Sequence, residues 1–149
     1  MNFKKYLLIT LPTLYVGLKN NWLTAKEVGD IVTNNSEKLD CDEKVIVNIF
    51  VNADDKATLL EILRKEAEME ENAGLRAWHL SKLIAIEQSA NSIHKKLMEI
   101  ELQWSCFDYP ESWRDFIYYM PNEKVNTEEG VYHNFLTFID QEKKELKFG

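Results

Sequence analysis

Three histidines, His79, His94 and His133, and two cysteines, Cys41 and Cys106, are the side chains best suited to proton transfer, nucleophilic attack or metal ligation. Their spacing assembles none of these chemistries. No two histidines stand four apart, and neither HExxH nor ExxH occurs, so the usual helical metal spacings are missing. His79 falls on an apolar register and reads as a core histidine. Glu129 and His133 lie one helical turn apart and could pair, but such a pair on a helix surface is common and weak. Cys106, between Trp104 and Phe107, reads as a small buried hydrophobe. No glycine-rich phosphate loop and no GxSxG is present. No cofactor or metal is implied, and no catalytic residue is assigned. An enzyme whose site assembles from distant residues stays open as the alternative.

Charge offers more than catalysis does. The chain of 149 residues has a net charge of −7. Phosphate binding needs a basic footprint, so nucleic acid is excluded as the expected partner. The run Glu66, Glu68, Glu70, Glu71 is the densest carboxylate feature. It reads either as a solvated helix end or, in Glu68, Glu70 and Glu71, as a patch that steers a basic protein partner. Calcium is not implied, because the spacing lacks a binding loop. Two isolated cysteines fit a reduced, cytosolic chain. The segment 1–17 imitates a signal peptide, with Lys4–Lys5 before YLLITLPTLYVG. GLKNNW offers no small-x-small cleavage site and the run is too short to span a bilayer, so it reads as buried core. Asn34–Asn35–Ser36 spells a glycosylation acceptor, without meaning in a chain that is not secreted.

The elements that must hold these residues are helices. Five glycines and three prolines leave room for long helices and short connections. Thr10 and Pro12 predict a helix over 11–20, stopped by Asn20–Asn21. Thr24 with Glu27 has capping-box spacing and predicts a helix over 25–35. Asp40 with Glu43 repeats that pattern imperfectly before a helix over 41–52. Ile46, Ile49, Phe50 and Ala53 form its apolar face, although its valines also suit a strand. Asp54–Asp55 predicts a helix over 55–72 that ends unfavourably in carboxylates and stops at Gly74.

From His79 a four-three alternation runs through Leu83, Ile86, Ala90, Ile93, Leu97, Ile100 and Trp104 to Phe107. Unbroken, it would be a helix of roughly 43 Å at 1.5 Å per residue. Gln88–Ser89 and Asn91–Ser92 are poor helix interior and good caps, so two helices are predicted, 75–88 and 91–107. Thr127 caps a last helix to about Leu146, with Val131, Phe135, Phe138, Ile139 and Leu146 inward.

The stretch 100–121 carries seven of the aromatics and anchors the predicted core. A corner is expected at Asp108–Tyr109, and a short helix from Pro110 to Tyr119. Trp113, Phe116, Ile117 and Met120 recur at i, i+3, i+4 and i+7 and face in. Glu111, Arg114, Asp115 and Tyr118 then share the outer face. A tyrosine and an arginine on a rigid exposed element suit a binding hot spot, beside the plainer reading of a solvated face. The whole predicts one all-α domain over residues 1–149. It is a bundle of seven to eight helices, or a solenoid-like stack of helix pairs.

The motifs Trp104, Phe107–Asp108–Tyr109–Pro110, Phe116–Ile117–Tyr118–Tyr119–Met120–Pro121 and Thr127–Glu128–Glu129–Gly130–Val131–Tyr132 resemble the C-terminal part of an uncharacterised bacterial family, a domain of unknown function. The resemblance supports fold and brings no catalytic residues. In size and acidity the chain is also similar to immunity proteins of polymorphic toxin systems, which act by binding a toxin. The expectation is a non-enzymatic cytosolic protein that binds a protein partner, most concretely a basic toxin domain, with no membrane association. A regulatory adaptor is a third reading.

Overall fold

Thr10 opens the first helix by accepting a hydrogen bond from the Thr13 N–H, and Pro12 sits where a missing N–H costs nothing. The computed structural model describes residues 3–118 and 127–147. The chain is all-α: its α-helices are α1 (Leu11–Lys19), α2 (Ala25–Asn34), α3 (Glu43–Val51), α4 (Lys56–Ala67), α5 (Glu71–Gln88), α6 (Ile93–Cys106) and α7 (Glu128–Glu145). Short 3₁₀ segments lie at Phe3–Tyr6, Glu68–Glu70 and Glu111–Phe116, and no strand occurs among the described residues. The contacts divide the chain into two compact units, residues 8–78 and residues 1–7 with 79–149. The boundary falls inside α5, between Trp78 and His79.

In the first unit, α1 packs on α4, α2 on α3, and α3 on α4. Every residue from Leu11 to Leu18 is buried, so the second half of the signal-like apolar run is core. Trp78 is buried with it and donates its indole N–H to the Thr13 carbonyl at 2.8 Å. Thr24 and Glu27 complete the capping box from both directions. The Asn20–Asn21 stop is a Schellman motif. Asn21 takes φ 62, Trp22 N–H reaches Gly17 O at 2.8 Å, and Asn21 N–H reaches Leu18 O at 3.3 Å.

Three expectations change here. Asp42, not Asp40, caps α3, by accepting from the Lys44 N–H. The helix expected over 55–72 ends at Ala67, and a 3₁₀ turn hands over to α5 at Glu71. Glu71 therefore opens a helix, where the dipole favours a carboxylate. Gly74 does not stop a helix: it lies inside α5, pressed on the start of α1. A Cβ there would collide with the Pro12 carbonyl, its carbon only 2.6 Å away. Backbone cannot swing aside as a side chain can. Gly74→Ala is therefore expected to destabilise the protein by about 1–2 kcal/mol, because overpacking outweighs the gain in helix propensity. Urea unfolding would check this, and an unchanged or raised midpoint would refute the close approach.

In the second unit, Ser92 caps α6 by accepting from the Lys95 N–H, and the predicted break at 89–92 is there. Leu83, Ile86, Leu97, Ile100 and Trp104 of the long register are buried, while Ala90 and Ile93, at the break, are exposed. Thr127 caps α7 through the Gly130 N–H. The core joins Leu80, Leu83, Ile86, Leu97, Ile100, Trp104, Trp113, Phe116, Ile117, Val131, Phe135 and Ile139, with Phe107 and Phe138 packed against it half-buried.

Candidate binding surfaces

The corner after α6 is built by backbone hydrogen bonds. Tyr109 N–H reaches Trp104 O at 2.8 Å and Asp108 N–H reaches Ser105 O at 3.2 Å, which makes a second Schellman motif. Asp108 and Tyr109 both hold left-handed backbone, φ 61 and φ 58. Asp tolerates that region, but for a large side chain such as Tyr it is costly. The Trp104 indole N–H then donates to Pro110 O at 2.9 Å and fixes the exit from the corner. Tyr109 stands edge-on to the Trp104 ring, centroids 4.9 Å apart, with 55% of its surface exposed.

After Pro110 the chain forms a 3₁₀ segment of six residues rather than an α-helix through Tyr119, and Ile117 is already extended. Residues three apart eclipse in a 3₁₀ turn, so Trp113 and Phe116 stack inward together. Ile117 is buried beside them. Met120 and Tyr119 lie outside the described residues. Glu111, Arg114, Asp115 and Tyr118 are all exposed, as the spacing predicts, with Tyr118 at 42%. Arg114 pairs with Glu111 at 3.0 Å, and the Asp115 carbonyl accepts from the Asn134 side chain of α7 at 3.0 Å. Tyr109 precedes this face in sequence and is exposed; the sequence marks it as part of the corner but not as a binding residue. Only the backbone sign at Asp108–Tyr109 reveals it.

The carboxylate run of the first unit is partly neutralised. Glu68 meets Arg64 at 3.1 Å, and Glu71 meets Lys19 at 2.5 Å. That second pair raises the Lys19 ammonium above its ordinary pKa, chiefly through its hydrogen bond to Glu71. Glu70 is exposed. A shallow cleft of about 350 Å³ opens over this pair, lined by Val16, Lys19, Asn20, Glu71, Asn72 and Leu75.

The residues suited to chemistry do not converge. His94 Nδ1 lies 2.6 Å from Glu128 Oε1, an exposed pair 34 residues apart that spacing on one helix could not show. Cys106 is exposed, which corrects its reading as a buried hydrophobe: α6 turns its Trp104 inward and carries the thiol outward. Cys41 has its thiol pushed up by burial, with Glu66 adding to the effect, so the nucleophilic thiolate is disfavoured. His79 packs against Phe107 and Trp113, ring centroids 4.3 and 5.5 Å away. Among the described residues no cluster of three or more His, Cys, Asp or Glu could hold a metal ion, and no helix is long and apolar enough to cross a membrane.

One further face is apolar and open. α3 buries Ile49 fully, while Val47, Phe50 and Val51 are 53%, 62% and 65% exposed. Phe50 was expected inward with Ile49, and it points to solvent instead. α3 is flanked by α2 and α4, which cover only one side of it.

No curated protein and no solved structure matches this chain. A family model described as an uncharacterised protein conserved in bacteria matches residues 1–143. Nothing in that match connects the chain with immunity proteins. With the match spanning nearly the whole sequence, the chain belongs to the DUF2247 family of uncharacterised bacterial proteins.

Proposed function

We propose that this chain is a cytosolic protein-binding protein without chemistry of its own, and that the corner and outer face from Tyr109 to Tyr118 are its partner surface. The observation that carries the reading is the exposed ring of Tyr109. Arg114 and Tyr118 nearby in sequence supply the other residue types that dominate binding energy. The buried Trp113, Phe116 and Ile117 beneath keep the surface rigid, so little entropy is lost on docking. Neutralisation of a toxin domain is the concrete form of this reading that size and acidity suggest.

The test separates binding from folding. Tyr109→Gly relieves the left-handed strain but loses the edge-on contact with Trp104. Those terms are about 1–2 and 0.5–1.5 kcal/mol and oppose each other, so stability should move by about 1.5 kcal/mol at most. Affinity for a partner captured from a bacterial lysate and then purified should fall by about 1–2 kcal/mol, and likewise for Tyr118→Ala. Equal affinity of wild type and the Tyr109→Gly, Tyr118→Ala double variant would remove this surface from the account.

A further inference from the structure

We propose that the outer face of α3, formed by Val47, Phe50 and Val51, docks a basic amphipathic helix of a partner protein. The inference deepens the protein-binding reading and rests on it for the class of partner, but it stands on different residues. Val47, Phe50 and Val51 recur at i, i+3 and i+4, so they form one ridge about a turn long. Scattered apolar residues on a surface need no explanation, but a contiguous ridge with a Phe at its centre does. Folding gains nothing from leaving that ridge in water.

The charges around the ridge select the occupant. Asp40, Asp42 and Glu43 stand at the N-terminal end of α3, and Asp54 and Asp55 lie just past its C-terminal end. Asp42 and Asp55 use their carboxylates as helix caps, which fixes them in place. Lys44 is the cation nearest the ridge in sequence, one turn before Val47. A second copy of this chain would set acidic ends against acidic ends, whether the two α3 helices ran parallel or antiparallel. An anionic membrane would meet the same repulsion, together with a net charge of −7. A helix with an apolar stripe and Lys or Arg beyond each end satisfies both the ridge and its ends. α3 is nine residues, roughly 13 Å, so the cations belong about two turns either side of the stripe centre.

The probe is a fluorescein-labelled 18-residue helical peptide of leucine and lysine, with leucines at i, i+3, i+4 and i+7, and its glutamate counterpart. Anisotropy titration against the full chain at low salt should show binding of the lysine peptide only. Phe50→Ser should weaken it tenfold or more, because a desolvated aromatic anchor is lost. Glu43→Lys with Asp54→Lys should weaken it and flatten its salt dependence. Tyr109→Gly should leave it unchanged, so failure of the corner and failure of this ridge give different results. Phe50 is largely exposed, so its serine variant is expected to fold, and its melting temperature checks that. Equal binding by Phe50→Ser, or equal binding of the glutamate peptide, overturns the proposal. So does a dimer of the wild type in sedimentation velocity that Phe50→Ser dissolves, which assigns the ridge to self-association. Binding to phosphatidylglycerol–phosphatidylcholine vesicles lost in Phe50→Ser would overturn it too and assign the ridge to lipid.

Discussion

Trp113→Ala is expected to cost about 3–5 kcal/mol of folding stability, the range for truncating a buried Trp or Phe. Trp113 is fully buried, and its ring meets His79, Phe107 and Phe116 at centroid distances of 5.5, 5.9 and 5.8 Å. These neighbours come from α5, the end of α6 and the 3₁₀ turn itself, so collapse around the cavity would have to move three segments at once. Small domains are stable by about 5–15 kcal/mol, so the loss is a large fraction of the total. The Trp113 indole N–H is buried with no hydrogen-bond partner among the described residues, which is itself unfavourable and supplies a control. Trp113→Phe keeps a ring and deletes that donor, so it should cost under about 1.5 kcal/mol. Denaturant unfolding of the two variants checks the pair. Equal midpoints for Trp113→Ala and wild type would show that this ring does not anchor the core.

What the sequence made legible was local. Thr10, Thr24 with Glu27, and Thr127 announce helix starts because the side chain that caps is within three residues of the N–H it satisfies. The poor helix formers at 88–92 placed the break between α5 and α6, where a heptad reading alone would have run through. Several of the failures have a tertiary cause. Gly74 looked like a stop because glycine commonly ends helices, whereas its reason is the Pro12 carbonyl, 62 positions earlier. The junction at 67–71 is invisible because every residue in EAEMEEN is acceptable in a helix. Phe50 shares a face with Ile46 and Ala53 by angle, but α2 and α4 cover only the Ile49 side. At the candidate surface, the exposure of Glu111, Arg114, Asp115 and Tyr118 came from the depth of their neighbours. Tyr109 did not, since nothing in Asp-Tyr-Pro declares two consecutive left-handed residues. Nor could spacing show that Lys19 would meet Glu71, which weakens the acidic run as a steering field.

Acid should unfold this protein in part through His79. Burial holds its imidazole pKa at about 4, against an ordinary value of 6.5. Its Nε2 is buried without a hydrogen-bond partner among the described residues, between the rings of Phe107 and Trp113. Proton counting gives the sign. Above pH 6.5 the ring is neutral in both folded and unfolded chains, and the group is silent. As pH falls from 6.5 towards 4, the unfolded chain takes up a proton that the folded chain refuses, so stability is lost. Below about pH 4 both forms are protonated and the loss levels off. One pH unit of displacement is about 1.4 kcal/mol, so the full effect is roughly 3 kcal/mol. Carboxylates titrate across the lower part of this window, so the readout is the difference between wild type and His79→Leu. The variant replaces the imidazole by a side chain that cannot charge, and its stability should fall less steeply from pH 6.5 to 4. Parallel profiles for the two proteins would mean that His79 reaches solvent when protonated, through an opening of the aromatic cage formed by Phe107 and Trp113. NMR titration of the His79 Cε1 proton distinguishes the cases directly, with a midpoint well below the ordinary imidazole value of 6.5 if the cage stays closed.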